Sequence, residues 1–166
     1  MKNKKNLIII AIIAVVAIIA AILVITNQPS LYNNTLTADE LYDKVKDSFT
    51  TNGGIRILDD DVILEFTDKN LDSIESYIVA KATNAKNINE VGIFKVNGNV
   101  NEVKKIVTKY LSEKQQSYRA MDYFPEEVEK IDCAKVVVMG NYIIYSFLNE
   151  EDTSSFYNAI ENLLKQ

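Results

Sequence analysis

The sequence has no histidine, no tryptophan and only one cysteine among its 166 residues. The missing histidine excludes Ser-His-Asp and Cys-His catalysis and the usual histidine-containing zinc sites. One cysteine, Cys133, cannot form an intramolecular disulfide, so the fold must be stabilised by its core. Cys133 borders an apolar run and is interpreted as a small core residue. No glycine-rich phosphate loop occurs, because the short Asn-Gly stretches at 52–54 and 97–99 are isolated turns.

One long hydrophobic run, Leu7 to Ile25, contains nineteen apolar residues without a charge, proline or glycine. At ~1.5 Å per residue a helix of this length spans roughly 29 Å, the thickness of the hydrocarbon core of a bilayer. Lys2, Lys4 and Lys5 precede the run, and uncharged residues follow it. Because positive flanks stay in the cytoplasm, the C-terminal part is expected to face outward.

These flanks predict four regions: a cytoplasmic basic tail at 1–6, a transmembrane helix at 7–26, a tether at 27–36 and an extracytoplasmic domain at 37–166. The alternative is a cleaved signal peptide, whose apolar region is usually only ~7–15 residues long and ends in small residues. Here the run is longer and ends in bulky residues, which favours an uncleaved anchor.

The part of the chain after residue 30 carries fifteen basic and twenty-three acidic residues, a net charge of −8. A domain of this charge has no basic stripe for nucleic acid, and no nucleic-acid partner is expected. About 136 residues suffice for one domain with its own core. The abundance of Ile, Asn and Lys, with no disulfide, is typical of a Gram-positive bacterium with an AT-rich genome.

Helices are predicted at 37–50, opened by a capping box of Thr37 and Glu40, at 100–120, at 126–131 after Pro125, and at 153–165. Strands are predicted from Ile74, from Val91, and on both sides of a Gly140-Asn141 turn. Residues 55–66 are ambiguous and are interpreted as a brief extended piece followed by helical turns.

The expected fold class is α+β. The transmembrane helix is followed by a two-layer sandwich, in which a four-stranded antiparallel sheet of order ββα-ββα carries helices on one face.

Four segments resemble a known family: Leu71-Asp-Ser-Ile-Glu-Ser-Tyr-Ile-Val, Asn89-Glu-Val-Gly-Ile-Phe-Lys-Val, Tyr123-Phe-Pro-Glu-Glu-Val-Glu-Lys-Ile and Lys135-Val-Val-Val-Met-Gly-Asn-Tyr. They are similar to domain of unknown function family 4358, found in clostridia and relatives behind a lipoprotein signal or a membrane anchor. The likeness spans roughly residues 37–165. It implies a fold and a surface location, but no activity, so no catalytic or cofactor-binding residue is assigned.

Acidic residues are the only candidates for chemistry. The densest cluster is Asp59, Asp60, Asp61, Glu65 and Asp68, and residues 150–152 form a second. Helix starts attract carboxylates for capping and dipole reasons, and this structural interpretation is favoured. The alternatives are a weak calcium site at Asp59, Asp61 and Glu65, or two carboxylates that hydrolyse a glycan.

Tyr118, Tyr123 and Phe124 are predicted to be exposed aromatics and a possible interaction surface. Two functions remain open: a non-catalytic interaction or sensing domain, and a carboxylate-dependent cell-wall hydrolase. The expected partners are the membrane, through Leu7 to Ile25, and another cell-envelope protein or a cell-wall component.

The predicted orientation can be tested with a reporter fused after Gln166. A reporter that is active only outside the cytoplasm should work there, because the lysines before Leu7 hold the N-terminus inside. Activity of a cytoplasm-only reporter at the same position would contradict the orientation.

Overall fold

The computed structural model describes residues 31–51, 54–58, 71–121 and 125–165. The chain forms two compact units, Met1–Leu31 and Tyr32–Gln166, and the second unit contains the fold described below. None of the helices in these described ranges is both long and apolar enough to cross a membrane. The run from Leu7 to Ile25 lies outside the described residues.

The described part of the chain contains four α-helices and five strands. In chain order they are α1 (Ala38–Val45), β1 (Ile55–Ile57), β2 (Ile74–Ala82), β3 (Glu90–Val96), α2 (Val100–Ala120), α3 (Pro125–Cys133), β4 (Lys135–Met139), β5 (Tyr142–Phe147) and α4 (Glu150–Leu164). Short 3-10 helices occupy Lys46–Ser48 and Leu71–Ser73. The fold class is α+β, as predicted.

The helix starts agree with the predicted capping. In α1 the Glu40 backbone N–H donates to the Thr37 hydroxyl over 3.2 Å, and the Glu40 carboxylate accepts from the Thr37 backbone N–H over 2.8 Å. The capping box is therefore confirmed. Asn99 and Asn149 cap α2 and α4 through their side chains. The first helix is shorter than predicted, because it ends at Val45 and continues only as a 3-10 turn.

The sheet has five strands in the order β1-β2-β3-β5-β4, and every neighbouring pair is antiparallel. The predicted pairing of β2 with β3 and of β4 with β5 is confirmed. The predicted number of four strands is wrong, because Ile55–Ile57 adds an edge strand to β2. The brief extended piece expected at the start of residues 55–66 is this strand, but a strand of three residues gave too little signal to be counted in the sheet.

Helices cover both faces of the sheet, and the expectation of helices on one face is wrong. Along β5, Tyr142 and Ile144 belong to the core shared with α1 and α4. Ile143, Tyr145 and Phe147 belong to the core shared with α2 and α3. Since every residue of β5 is buried, this central strand needs cover on both sides. The fold therefore has three layers, helix, sheet and helix.

Gly140 and Asn141 form the two-residue turn between β4 and β5, and Met139 pairs with Tyr142 across it. Gly140 has φ of 61°, which a residue with a side chain rarely adopts. A Cβ at this position would also lie 2.3 Å from Oδ1 of Asn34. Both the backbone conformation and the lack of space require glycine here.

Gly140→Ala should destabilise the domain by more than ~1 kcal/mol, through positive φ and through displacement of Asn34. Gly54→Ala is a matched control, because Gly54 has φ of +85° while the nearest atom to its added Cβ is 3.4 Å away. The free energies of unfolding, measured in urea, should place Gly140→Ala below Gly54→Ala. An equal loss in both variants would mean that the contact with Asn34 is unimportant.

Candidate functional site

A fully buried carboxylate, that of Glu90, lies at the start of β3 on the face covered by α2. Its Oε1 accepts hydrogen bonds from the hydroxyls of Tyr110 and Tyr145, both over 2.7 Å. Its Oε2 accepts a hydrogen bond from Nζ of Lys114 over 2.6 Å. A buried charge is tolerated only when it is paired and hydrogen-bonded, and Glu90 meets both conditions.

The helix α2 supplies two of these partners. Tyr110 and Lys114 are four residues apart and therefore lie on one face of the helix. Nζ of Lys114 also lies 4.6 Å from the centre of the Tyr110 ring, a favourable cation–π arrangement. One helical turn thus provides a hydroxyl and an ammonium group for the same carboxylate.

The third partner, Tyr145, reaches Glu90 because of a glycine. Gly92 of β3 is paired with Tyr145 of β5. A Cβ at Gly92 would lie only 2.0 Å from Cε1 of Tyr145, so the ring occupies the space that a side chain would fill. Gly92 therefore allows the hydroxyl of Tyr145 to reach the carboxylate two residues earlier in the strand.

Burial, followed by the charge of Glu90, raises the pKa of Tyr145 well above its ordinary value. The same two causes, in the same order, raise the pKa of Tyr110. Both hydroxyls therefore stay protonated at neutral pH and remain donors to Glu90. This arrangement holds the carboxylate in a fixed position with donors on both oxygens.

Two cations extend from Glu90 towards the edge of the sheet. Lys81 of β2 is paired with Glu90, and its Nζ lies 3.8 Å from Oε2. Arg56 of β1 is paired in turn with Lys81. Residues directly opposite each other on paired strands share one face of the sheet. Arg56, Lys81 and Glu90 therefore form a row across three strands, which we call the charged row.

A cavity of about 240 Å³ lies at the edge end of the charged row. Its walls combine the two cations with hydroxyl and amide groups of the β2–β3 loop and one aromatic ring. The polar and aromatic residues that line it are Arg56, Lys81, Thr83, Asn84, Asn87 and Tyr118. We refer to it as the edge cavity.

Side-chain hydrogen bonds shape the β2–β3 loop beside the edge cavity. Oδ1 of Asn84 accepts from the backbone N–H of Lys86 over 2.9 Å. Oδ1 of Asn87 accepts from the backbone N–H of Asn89 over 2.8 Å and from Nζ of Lys130 over 3.1 Å. Such asparagine turns replace the backbone hydrogen bonds that a loop lacks.

Helices on both faces of the sheet also hold this loop. On one side, the carboxylate of Glu127 in α3 accepts from the backbone N–H of Ile88 over 2.8 Å. On the other side, the Asn89 amide donates to the Thr50 carbonyl over 3.0 Å, and the Thr50 N–H donates to Asp152 of α4 over 3.0 Å. The loop wall of the cavity is therefore fixed by two helical layers.

The predicted aromatic surface is partly corrected. Tyr118 was expected to be exposed, but it is only 9 % exposed and packs edge-on against Phe147, with 5.5 Å between ring centres. It contributes to the wall of the edge cavity instead of to an open surface. Tyr123 and Phe124 lie outside the described residues.

The predicted calcium candidates Asp59, Asp61 and Glu65, and the neighbouring acids Asp60 and Asp68, also lie outside the described residues. Within the ranges that are described, no group of three Cys, Asp or Glu side chains could hold a metal ion. The second acidic cluster occupies the first turn of α4. There the Asp152 carboxylate accepts from Thr50 and from Asn149, which agrees with the structural interpretation.

Cys133 ends α3 and is partly buried. Burial, followed by the nearby carboxylate of Glu129, raises the pKa of its thiol. A raised pKa lowers the thiolate fraction at neutral pH, so the thiol is a poor nucleophile. This agrees with the interpretation of Cys133 as a packing residue.

Sequence reasoning did not identify Glu90 or the edge cavity. One available signal was a glutamate at the start of the largely apolar strand Glu90–Val96, where an unpaired charge would be costly. A second signal was the four-residue spacing of Tyr110 and Lys114 in the predicted helix. Neither signal indicates which residues of other strands complete the group.

The family described as Domain of unknown function (DUF4358) matches residues 57–148. This range is shorter than the expected likeness over 37–165. It includes β2 to β5 with α2 and α3, and it contains Glu90, Tyr110, Lys114 and Tyr145. The helices α1 and α4 lie outside it. No curated protein and no solved structure matches the chain.

Glu90→Gln should destabilise the domain by about 3 kcal/mol or more, because Lys114, whose side chain is only 19 % exposed, loses the charge opposite it. Glu113→Gln, which removes an acid from α2 next to Lys114, is the matched control. Its carboxylate is 65 % exposed and lies 3.7 Å from Lys109, so its loss should cost less than ~1 kcal/mol. Chemical denaturation measures both changes, and similar values would contradict the structural role of Glu90.

Proposed function

The chain belongs to the DUF4358 family, and on that premise we propose that it is a non-catalytic binding or sensing module at the outer face of a bacterial cell membrane. The location is supported by the sequence of the anchor, Leu7 to Ile25, and by the lysines that precede it. The expected partner is another cell-envelope protein or a cell-wall component. The edge cavity is the site at which binding is proposed.

The observation that carries this proposal is the chemistry of the edge cavity. Its described lining contains two cations, amides, a hydroxyl and an aromatic ring, and no carboxylate. Hydrolysis of a glycoside generally needs two carboxylates on opposite sides of the scissile bond. The described lining can bind a polar ligand, but it does not supply the pair of carboxylates that this hydrolysis uses.

The buried carboxylates of the described domain already have structural partners. Glu90 is bound by two tyrosine hydroxyls and a lysine. Glu127 accepts from Lys130 over 2.8 Å and from the backbone of Ile88. Asp152, in the first turn of α4, accepts from the Thr50 backbone N–H and from the Asn149 side chain. A general acid or base must be free to exchange a proton with a substrate, and these groups are committed to the fold.

The rigidity of the loop also supports a binding role. The Ile88 backbone N–H is held by Glu127 on one face, and the Asn89 side chain is held by the Thr50 carbonyl on the other. A wall that is ordered before the ligand arrives loses little conformational entropy on binding. Preorganisation of this kind favours recognition at a small site.

The proposal is tested against the hydrolase alternative by replacing Asp59, Asp60, Asp61 and Glu65 together with Asn and Gln. Neither the full chain nor this variant should cleave peptidoglycan, and calcium should not change the melting temperature of either. The matched control is the double variant Glu150→Gln and Glu151→Gln, which removes two exposed acids from a helix start. Cleavage by the unchanged chain and by the control, but not by the quadruple variant, would establish the enzyme and overturn the proposal.

A further inference from the structure

We propose that the edge cavity binds the phosphoryl group of a small molecule through Arg56 and Lys81. This inference rests on the binding role proposed above and names the class of ligand. It follows from the charges of the residues that line the cavity, from the positions of these residues in the sheet and from the volume of the cavity.

The two cations are directly paired across β1 and β2. Like charges opposite each other in an antiparallel pair are destabilising, because their side chains share one face at close range. In the described part of the chain, no carboxylate forms an ion pair with Arg56, while Lys81 lies 3.8 Å from Glu90. An anion between the two cations would relieve this repulsion.

Glu90 does not neutralise the group, because Lys114 occupies its Oε2 at the shorter distance of 2.6 Å. Among the ion pairs of the described residues, Arg56 takes part in none, and Lys81 and Lys114 share the single carboxylate of Glu90. This positive site belongs to a domain whose net charge after residue 30 is −8. A local reversal of sign attracts an anion that the rest of the surface repels.

The charge of the site favours phosphate over carboxylate. A phosphate monoester carries ≈ −1.5 to −2 at neutral pH and has three strong acceptor oxygens. A guanidinium group can bind two of these oxygens at once, and an ammonium group can bind another. Thr83, Asn84 and Asn87 add hydroxyl and amide groups to the same wall.

The size of the site limits the ligand. The volume of about 240 Å³ is below the ~300–1,000 Å³ typical of pockets for drug-sized molecules. The cavity therefore fits a phosphoryl group with a small substituent. The carboxylate of Glu90 lies 3.8 Å from Nζ of Lys81 and helps to position this lysine in the cavity wall. Glu90 is itself buried and does not contact the ligand.

The test is isothermal titration calorimetry of the full chain in non-ionic detergent micelles with inorganic phosphate, at constant ionic strength. We expect saturable binding of one phosphate per chain, and weaker binding of acetate. Because charge-assisted hydrogen bonds are among the stronger ones, Arg56→Gln and Lys81→Gln should each weaken phosphate binding by about tenfold or more. The melting temperature of each variant is measured in parallel.

The matched control is the double variant Lys104→Gln and Lys105→Gln, which removes two exposed cations from α2. Screening makes distant exposed charges weak contributors, so its affinity should change less than about twofold. Arg56→Gln is the decisive variant, because Arg56 is exposed on an edge strand and its loss should leave the fold intact.

The inference is wrong if the folded chain shows no saturable phosphate binding, if folded Arg56→Gln binds as tightly as the unchanged chain, or if acetate binds as tightly as phosphate. Those results leave the non-catalytic binding role standing. Cleavage of peptidoglycan in the preceding assay would instead overturn that role, so the two failures are distinguishable.

Discussion

The burial of the Glu90 charge is the constraint on which the rest of the structure depends. A carboxylate removed from water is costly unless donors replace its hydration, and here the donors come from α2 and β5. These bonds determine how α2 lies on the sheet, because Tyr110 and Lys114 must both reach one carboxylate. Hydrophobic contacts of Val103, Val107 and Leu111 also direct this face of α2 towards the sheet, but they tolerate small shifts of the helix along its axis.

The same interaction links the core to the edge cavity. Glu90 is the inner end of the charged row and Arg56 its outer end, with Lys81 between them. The Glu90 carboxylate lies 3.8 Å from Nζ of Lys81 and only 2.6 Å from Nζ of Lys114, so Lys114 is its closer partner. The core group thereby helps to position Lys81, one of the two cations of the cavity wall.

Cover on both faces of the sheet has a second consequence, for the loop between β2 and β3. A loop at the end of a one-sided sheet would be held from one direction only. Here Glu127 of α3 and Thr50, itself bound by Asp152 of α4, hold the loop from opposite sides. The rigidity of the proposed site is therefore a consequence of the three-layer arrangement.

Local patterns in the sequence determined most of the elements of this domain. The capping box at Thr37, the apolar face of α2 and the Gly140 turn depend on residues close together in the chain, so each could be predicted. The second helical layer and the pairing of β1 with the sheet could not, because apolar residues on both sides of β5 and a three-residue strand leave no periodic signal. Only the tertiary structure decided the partners of Glu90, which lie 20, 24 and 55 residues away. No local spacing encodes contacts at such separations, since they arise only when α2 and β5 pack beside β3.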